Sequence, residues 1–221
     1  MNLFREHFQR EAARRESGED DFGGMANASG YQLMLAKLAD DRRRLKQIQS
    51  IERKGEVKRE LLPDYAPWVD GVLQADAGGR DDVVVTVMIW RIDAGDYPGA
   101  LDIAEYAMRH DLYVPDRFER TLGTIIAEEL SDAAKRLRDA KAAGLDVGLL
   151  ARAMAMTAHA DMPDQVRAKL HCELGFALLD SNPEQALEQL RRALQLHNGI
   201  GVKKAIEGLE RKLKNTSPPQ G

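Results

Sequence analysis

Only one run of β-branched residues in this chain, Val83-Val84-Val85-Thr86-Val87, is long enough to suggest a strand, and Asp81-Asp82 stand directly before it. Elsewhere apolar residues recur at three- and four-residue intervals, which is the period of a helix face. Aromatic residues make up only 5% of the chain, while Ala and Leu are frequent. Strands draw on β-branched and aromatic side chains, so this balance points to packed helices. The valine run itself reads as helix. Acidic residues suit a helix N-terminus, and Met88, Trp90 and Ile92 lead straight into a turn. The expected fold class is all-α.

Residues 1–29 mix charge with Gly and Ser and read as a flexible N-terminal arm. Ser29 is a candidate N-cap for a long basic helix over 30–62. Its apolar stripe is Tyr31, Met34, Leu38, Leu45 and Ile48, heptad-like in spacing and interrupted at Asp41. Leu62-Pro63 should end that helix, with a short one following from about Asp64 or Pro67. A helical-hairpin domain should then occupy 63–214. Within it, Gly95-Asp96-Tyr97-Pro98 with Ala100, Ala104 and Ala107, and Gly175 with Ser181-Asn182-Pro183, Ala186, Leu190 and Ala193, look like halves of tetratricopeptide-type hairpins. The two are too far apart for a tandem array. Further helices are expected over 117–143, 149–160 and 202–213, with one opened by Asp161-Met162-Pro163-Asp164. A flexible tail should cover 215–221.

Charge is distributed unevenly. Residues 37–60 hold nine basic and five acidic residues, 64–130 hold five basic and fourteen acidic, and 200–214 hold five basic and two acidic. Two basic segments thus flank an acidic middle, so polyanion contact is expected at the basic parts alone. The candidate phosphate-contacting residues are Arg42, Arg43, Arg44, Lys46, Arg53, Lys54, Lys58 and Arg59, then Lys203, Lys204, Arg211 and Lys212, with Lys214 beyond them. The stripe from Tyr31 to Ile48 is the candidate for self-association. No apolar stretch approaches the roughly 20 residues that span a bilayer, the first residues lack a signal-peptide core, and the lone Cys172 has no disulfide partner. A soluble, intracellular protein is expected.

Catalytic chemistry finds little to stand on. Gly78-Gly79-Arg80-Asp81 lacks the lysine and hydroxyl of a phosphate-binding loop, and the five histidines form no zinc-ligand spacing. His171 and Cys172 are adjacent, so on a helix they point about 100° apart. A metal-dependent nuclease would need gathered carboxylates, and Asp81, Asp82, Asp93 and Asp96 are the richest acidic set. Helix caps and solvated faces account for the same residues. No cofactor is expected, with magnesium only under the nuclease alternative.

Three stretches together resemble the small terminase subunit family of temperate, contractile-tailed phages. They are Tyr31-Gln32-Leu33-Met34-Leu35-Ala36-Lys37-Leu38, Arg59-Glu60-Leu61-Leu62-Pro63 through Trp68-Val69-Asp70-Gly71-Val72-Leu73, and Asp81-Asp82 through Met88-Ile89-Trp90-Arg91. The likeness continues through Asp161-Met162-Pro163-Asp164 to Gly201-Val202-Lys203-Lys204. It implies a ring-shaped homo-oligomer in the cytoplasm of the bacterial host. That oligomer would recognise viral double-stranded DNA and regulate the large terminase subunit during packaging. Some family members are labelled as an endonuclease subunit. Family members often end in a long basic tail, whereas residues 215–221 carry no cation. A helical interaction module without DNA contact is the remaining alternative.

Overall fold

The computed structural model describes residues 3–16, 30–112, 114 and 120–216. Ten helices and no strand occur among the described residues. They divide into two compact units, residues 1–122 and 123–221. None of these helices is long and apolar enough to cross a membrane.

The first unit contains α1 (Leu3–Glu16), α2 (Gly30–Lys46), α3 (Ile51–Ala75), α4 (Asp82–Ala94) and α5 (Tyr97–Arg109). Its centre is α4, the valine run that resembled a strand. Val83, Val84, Val85, Thr86, Val87, Met88, Ile89, Trp90 and Ile92 are all buried. A helix apolar on nearly every face must be enclosed by others, and α2, α3 and α5 pack against it. Asp81 caps it by accepting from the amides of Val83 and Val84 at 2.8 and 3.0 Å. Gly95, left-handed at φ 84°, ends it, and the next residue, Asp96, caps α5.

Sequence expectation and structure differ in the middle and at the C-terminal end of the basic helix. Residues 30–62 form two helices, because the chain turns over 47–50 and Ser50 caps the second by accepting from the Arg53 amide at 3.2 Å. The turn lets both apolar stripes reach one core. Nor does Leu62-Pro63 end a helix. In α3 the stripe Val57, Leu61, Tyr65, Trp68, Val69 and Val72 is buried across both Pro63 and Pro67. Proline in a helix interior costs about 3 kcal/mol, and this continuous burial exceeds it at 1.5–3 kcal/mol per large apolar side chain. Asp41, which interrupts the α2 stripe, accepts from the Tyr65 hydroxyl at 2.6 Å and pairs with Lys37 at 2.8 Å.

Part of the expected arm is also structured. Residues 3–16 form α1, which packs on α3 where Gly71 leaves no side chain in the way. A Cβ at Gly71 would stand 2.4 Å from the Arg10 carbonyl oxygen and 2.7 Å from the Ala13 Cβ. Residues 17–29 lie outside the described residues.

The second unit comprises α6 (Leu122–Asp139), α7 (Val147–Met156), α8 (Asp164–Ala177), α9 (Pro183–Leu196) and α10 (Lys203–Thr216), with the start of α6 at its boundary. The two-unit division replaces the single hairpin domain expected over 63–214. Helices α8 and α9 form a hairpin, with the Leu190 side chain in the space left by Gly175. Buried Glu173 receives two hydrogen bonds of 2.9 Å from Arg138, whose guanidinium lies 4.3 Å from the centre of the Phe176 ring. The last helix, α10, packs on α9 through Ile206 and Leu209. It runs on through Asn215 and Thr216 into the expected tail, and residues 217–221 lie outside the described residues.

Gly71→Ala should push α1 away from α3, lowering stability by about 1–3 kcal/mol. Limited proteolysis should then cut within residues 3–16 at lower protease concentration than in the unaltered protein. Unchanged melting and unchanged protection would contradict the described α1–α3 contact.

Candidate nucleic-acid interface

The first basic segment is largely engaged inside its own unit. Arg42 is half-buried and donates to the Thr86 hydroxyl at 2.6 Å. Burial lowers its pKa, partly opposed by Asp82. Lys58 pairs with Asp93, and Arg59 donates to the Ala94 carbonyl through Nε at 3.3 Å and Nη2 at 3.1 Å. These three residues therefore grip α4 along its length and at its C-terminal end, where cations offset the helix dipole. On the surface, Arg43 pairs with Asp40, Arg44 with Glu60 at 3.7 Å, and Arg53 with Glu56 at 2.7 Å and Glu60 at 3.6 Å. Exposed pairs of this kind contribute roughly 0–1 kcal/mol, so their cations can be drawn off by a phosphate. Lys46 and Lys54 form no ion pair among the described residues.

The second basic segment has a different setting. Val202 just before α10 and Ile206 and Leu209 on it are buried, which turns Lys203, Lys204, Arg211 and Lys214 outward. These four cations are exposed and have no ion pair among the described residues. Lys212 is exposed on the same helix. The acidic residues of α10 are Glu207, also exposed, and Glu210, which is held 2.6 Å from Arg191 of α9. Sequence reading missed Gly208 on this face. It sits inside the helix, where glycine costs about 1 kcal/mol relative to alanine, and a Cβ there would meet nothing within 4 Å. A glycine on the polar face, flanked by cations at i−4, i+3 and i+4, was the available signal.

The four candidate nuclease aspartates are not brought together. Asp81 and Asp82 stand at the start of α4, and Asp93 and Asp96 at its end, about 18 Å along a 13-residue helix. Asp81 is buried and accepts from the Trp68 indole at 2.8 Å as well as from two amides. Asp82 has a buried Oδ1 without a hydrogen bond, 3.7 Å from the Arg80 guanidinium. Asp93 holds Lys58, and Asp96 accepts from the Gly99 amide at 3.1 Å. No group of three metal-ligating side chains occurs among the described residues. In the second unit, burial pushes the Cys172 thiol up to about 12, the reverse of an activated thiolate. His171 meets Gln189 at 2.7 Å.

The expected self-association stripe is spent inside the monomer. Met34, Leu38 and Leu45 are buried, Ile48 is half-buried, and Tyr31 stacks 6.0 Å from Trp68 while its hydroxyl accepts from the Asp82 amide at 3.1 Å. A folded α2 has no such stripe left to offer. The exposed large apolar residues among those described are Phe8, Leu33 and Ile51, and Phe8 and Leu33 flank a groove of about 350 Å³ floored by Met34 and Trp68.

The helical core, the outward cations and the family resemblance converge on one class. A family model described as phage small terminase subunit matches residues 35–165, and the chain belongs to that family. The chain is 49% identical over 199 residues to the "Terminase, endonuclease subunit" of Escherichia phage P2, covering 89% of this chain and 79% of that protein. It is 24% identical over 105 residues to the "Probable terminase, endonuclease subunit" of Haemophilus phage HP1 (strain HP1c1), covering 47% of this chain and 37% of that protein. No solved structure matches it. This is a phage small terminase, a component of viral DNA packaging that works with the large terminase subunit.

Burial pushes the Asp81 carboxyl up to about 6, against three donated hydrogen bonds that favour its ionised form. A carboxyl whose folded pKa lies above its unfolded value binds its proton more tightly when folded. Stability from this group therefore begins to rise as pH falls through about 6, and the gain, on the order of 3 kcal/mol in total, is complete only below the ordinary value of 3.8. Melting curves at pH 7.5 and 5 should show a larger acid-side gain for the unaltered protein than for Asp81→Asn. Parallel curves would contradict the buried, charge-destabilised cap.

Proposed function

We propose that this small terminase is a packaging adaptor, an oligomer that holds viral double-stranded DNA through the outer face of α10 and regulates the large subunit. The observation carrying this reading is the contrast between the two basic segments. Arg42, Lys58 and Arg59 are committed to α4 and Arg43, Arg44 and Arg53 are paired on the surface, whereas Lys203, Lys204, Arg211 and Lys214 project without an ion pair among the described residues. Four phosphate contacts give a salt dependence of about −3 to −4 in log K against log salt, which is weak binding for one copy. A ring would repeat that contact around its axis and supply avidity. With the Tyr31–Ile48 stripe occupied, the groove between Phe8 and Leu33 is the better surface for self-association. The host cytoplasm is the setting this role requires.

The endonuclease reading is favoured by the names of the two phage relatives. For this chain it would need carboxylates other than Asp81 and Asp96, which are occupied as caps, and Asp93, which holds Lys58. It would also need a magnesium ion as cofactor.

Two measurements on the purified full chain test the adaptor. Lys204→Ala with Arg211→Ala should weaken duplex binding and lower the salt slope by about 2 per engaged copy. The corresponding change at Arg43 and Arg53 should have a smaller effect. Equal losses from both pairs would contradict the assignment to α10, and magnesium-dependent cutting of the duplex would make the nuclease reading primary. Phe8→Ser with Leu33→Ser should reduce the oligomer mass in light scattering. An unchanged mass would remove the groove from the assembly.

A further inference from the structure

Gly208 has no structural reason for being glycine within its own chain. It lies inside α10, its backbone is not left-handed, and a Cβ there would point into open space. Glycine costs helix stability, so alanine at this position would favour the fold. Glycine in such a place removes bulk in front of the helix backbone, which permits close approach by something outside the unit.

The surroundings define what approaches. One turn before Gly208 is Lys204, and one turn after it are Arg211 and Lys212, all exposed. A second copy of the same face would bring like charges together and be repelled. A phosphodiester backbone would be attracted, and without a side chain at 208 it could lie flush on the helix between the flanking cations. We infer that Gly208 is the floor of a backbone-contact saddle on α10, in which a DNA strand is held by its phosphates between Lys204 and Arg211. The inference rests on the reading of α10 as the DNA-binding face.

The saddle also sets the kind of recognition. The exposed positions that flank the glycine at helical spacing are cationic, and phosphates carry no sequence information. Contact here positions the duplex without reading its bases. Discrimination of a packaging site is not a property of this face.

The test uses full-length protein with Gly208→Ala, Gly208→Leu, and the Lys204→Ala, Arg211→Ala pair. Each is titrated against two unrelated duplexes of equal length, with melting temperature and oligomer mass recorded in parallel. Gly208→Ala should melt at or above the temperature of the unaltered protein. Gly208→Leu should bind both duplexes several-fold more weakly, by the same factor, at unchanged oligomer mass. If the cation pair weakens binding while Gly208→Leu does not, the saddle is wrong and the DNA-binding face stands. If neither weakens binding, that reading of α10 fails and the saddle with it. A fall in oligomer mass on Gly208→Leu would assign the glycine to a contact between copies and overturn the inference.

Discussion

The first unit depends on the enclosure of α4. A helix of thirteen residues with ten of them buried cannot stand on its own, and every neighbouring helix is placed by the need to cover it. Asp81 fixes its start by capping it and by taking the indole hydrogen bond of Trp68, which ties α3 to that end. Lys58 and Arg59 tie α3 to the other end. The same requirement draws in the stripe of α2 and fixes Arg42 against Thr86.

This constraint changes the meaning of the charge pattern. A basic segment beside an acidic middle reads as a surface waiting for a polyanion. In the folded unit, part of that asymmetry is internal complementarity, since Lys37 meets Asp64 at 3.0 Å and Lys58 meets Asp93. Lys203, Lys204, Arg211 and Lys214 of α10 form no ion pair among the described residues. This short amphipathic helix needs only one buried stripe, so the opposite face is left to solvent. Net charge by segment therefore does not distinguish cations held by intramolecular partners from cations without an ion pair among the described residues.

Much of the helical content could be read from local pattern, because caps and turns are local signals. Asp81, Asp96, Asn182 and the glycine at 95 mark helix ends in the sequence and mark them in the structure. What could not be read depended on distant residues. Pro63 and Pro67 look like breaks until the six-residue stripe of α3 is seen to be buried across them. Asp41 looks like a flaw in a heptad until Tyr65 is placed against it. Tyr31, Met34, Leu38 and Leu45 have the spacing of a self-association seam, and spacing alone cannot tell a seam between copies from a seam within one. The aspartates at 81, 82, 93 and 96 are close in sequence, yet a helix holds the pairs apart.

Hydrogen–deuterium exchange on the full chain, with and without a short duplex at low salt, tests the assignment of the DNA contact most directly. The account predicts slower exchange in α10, centred on the amides around Gly208, and little change in α2 and the first turns of α3. Protection concentrated at residues 42–59 with α10 unaffected would contradict it.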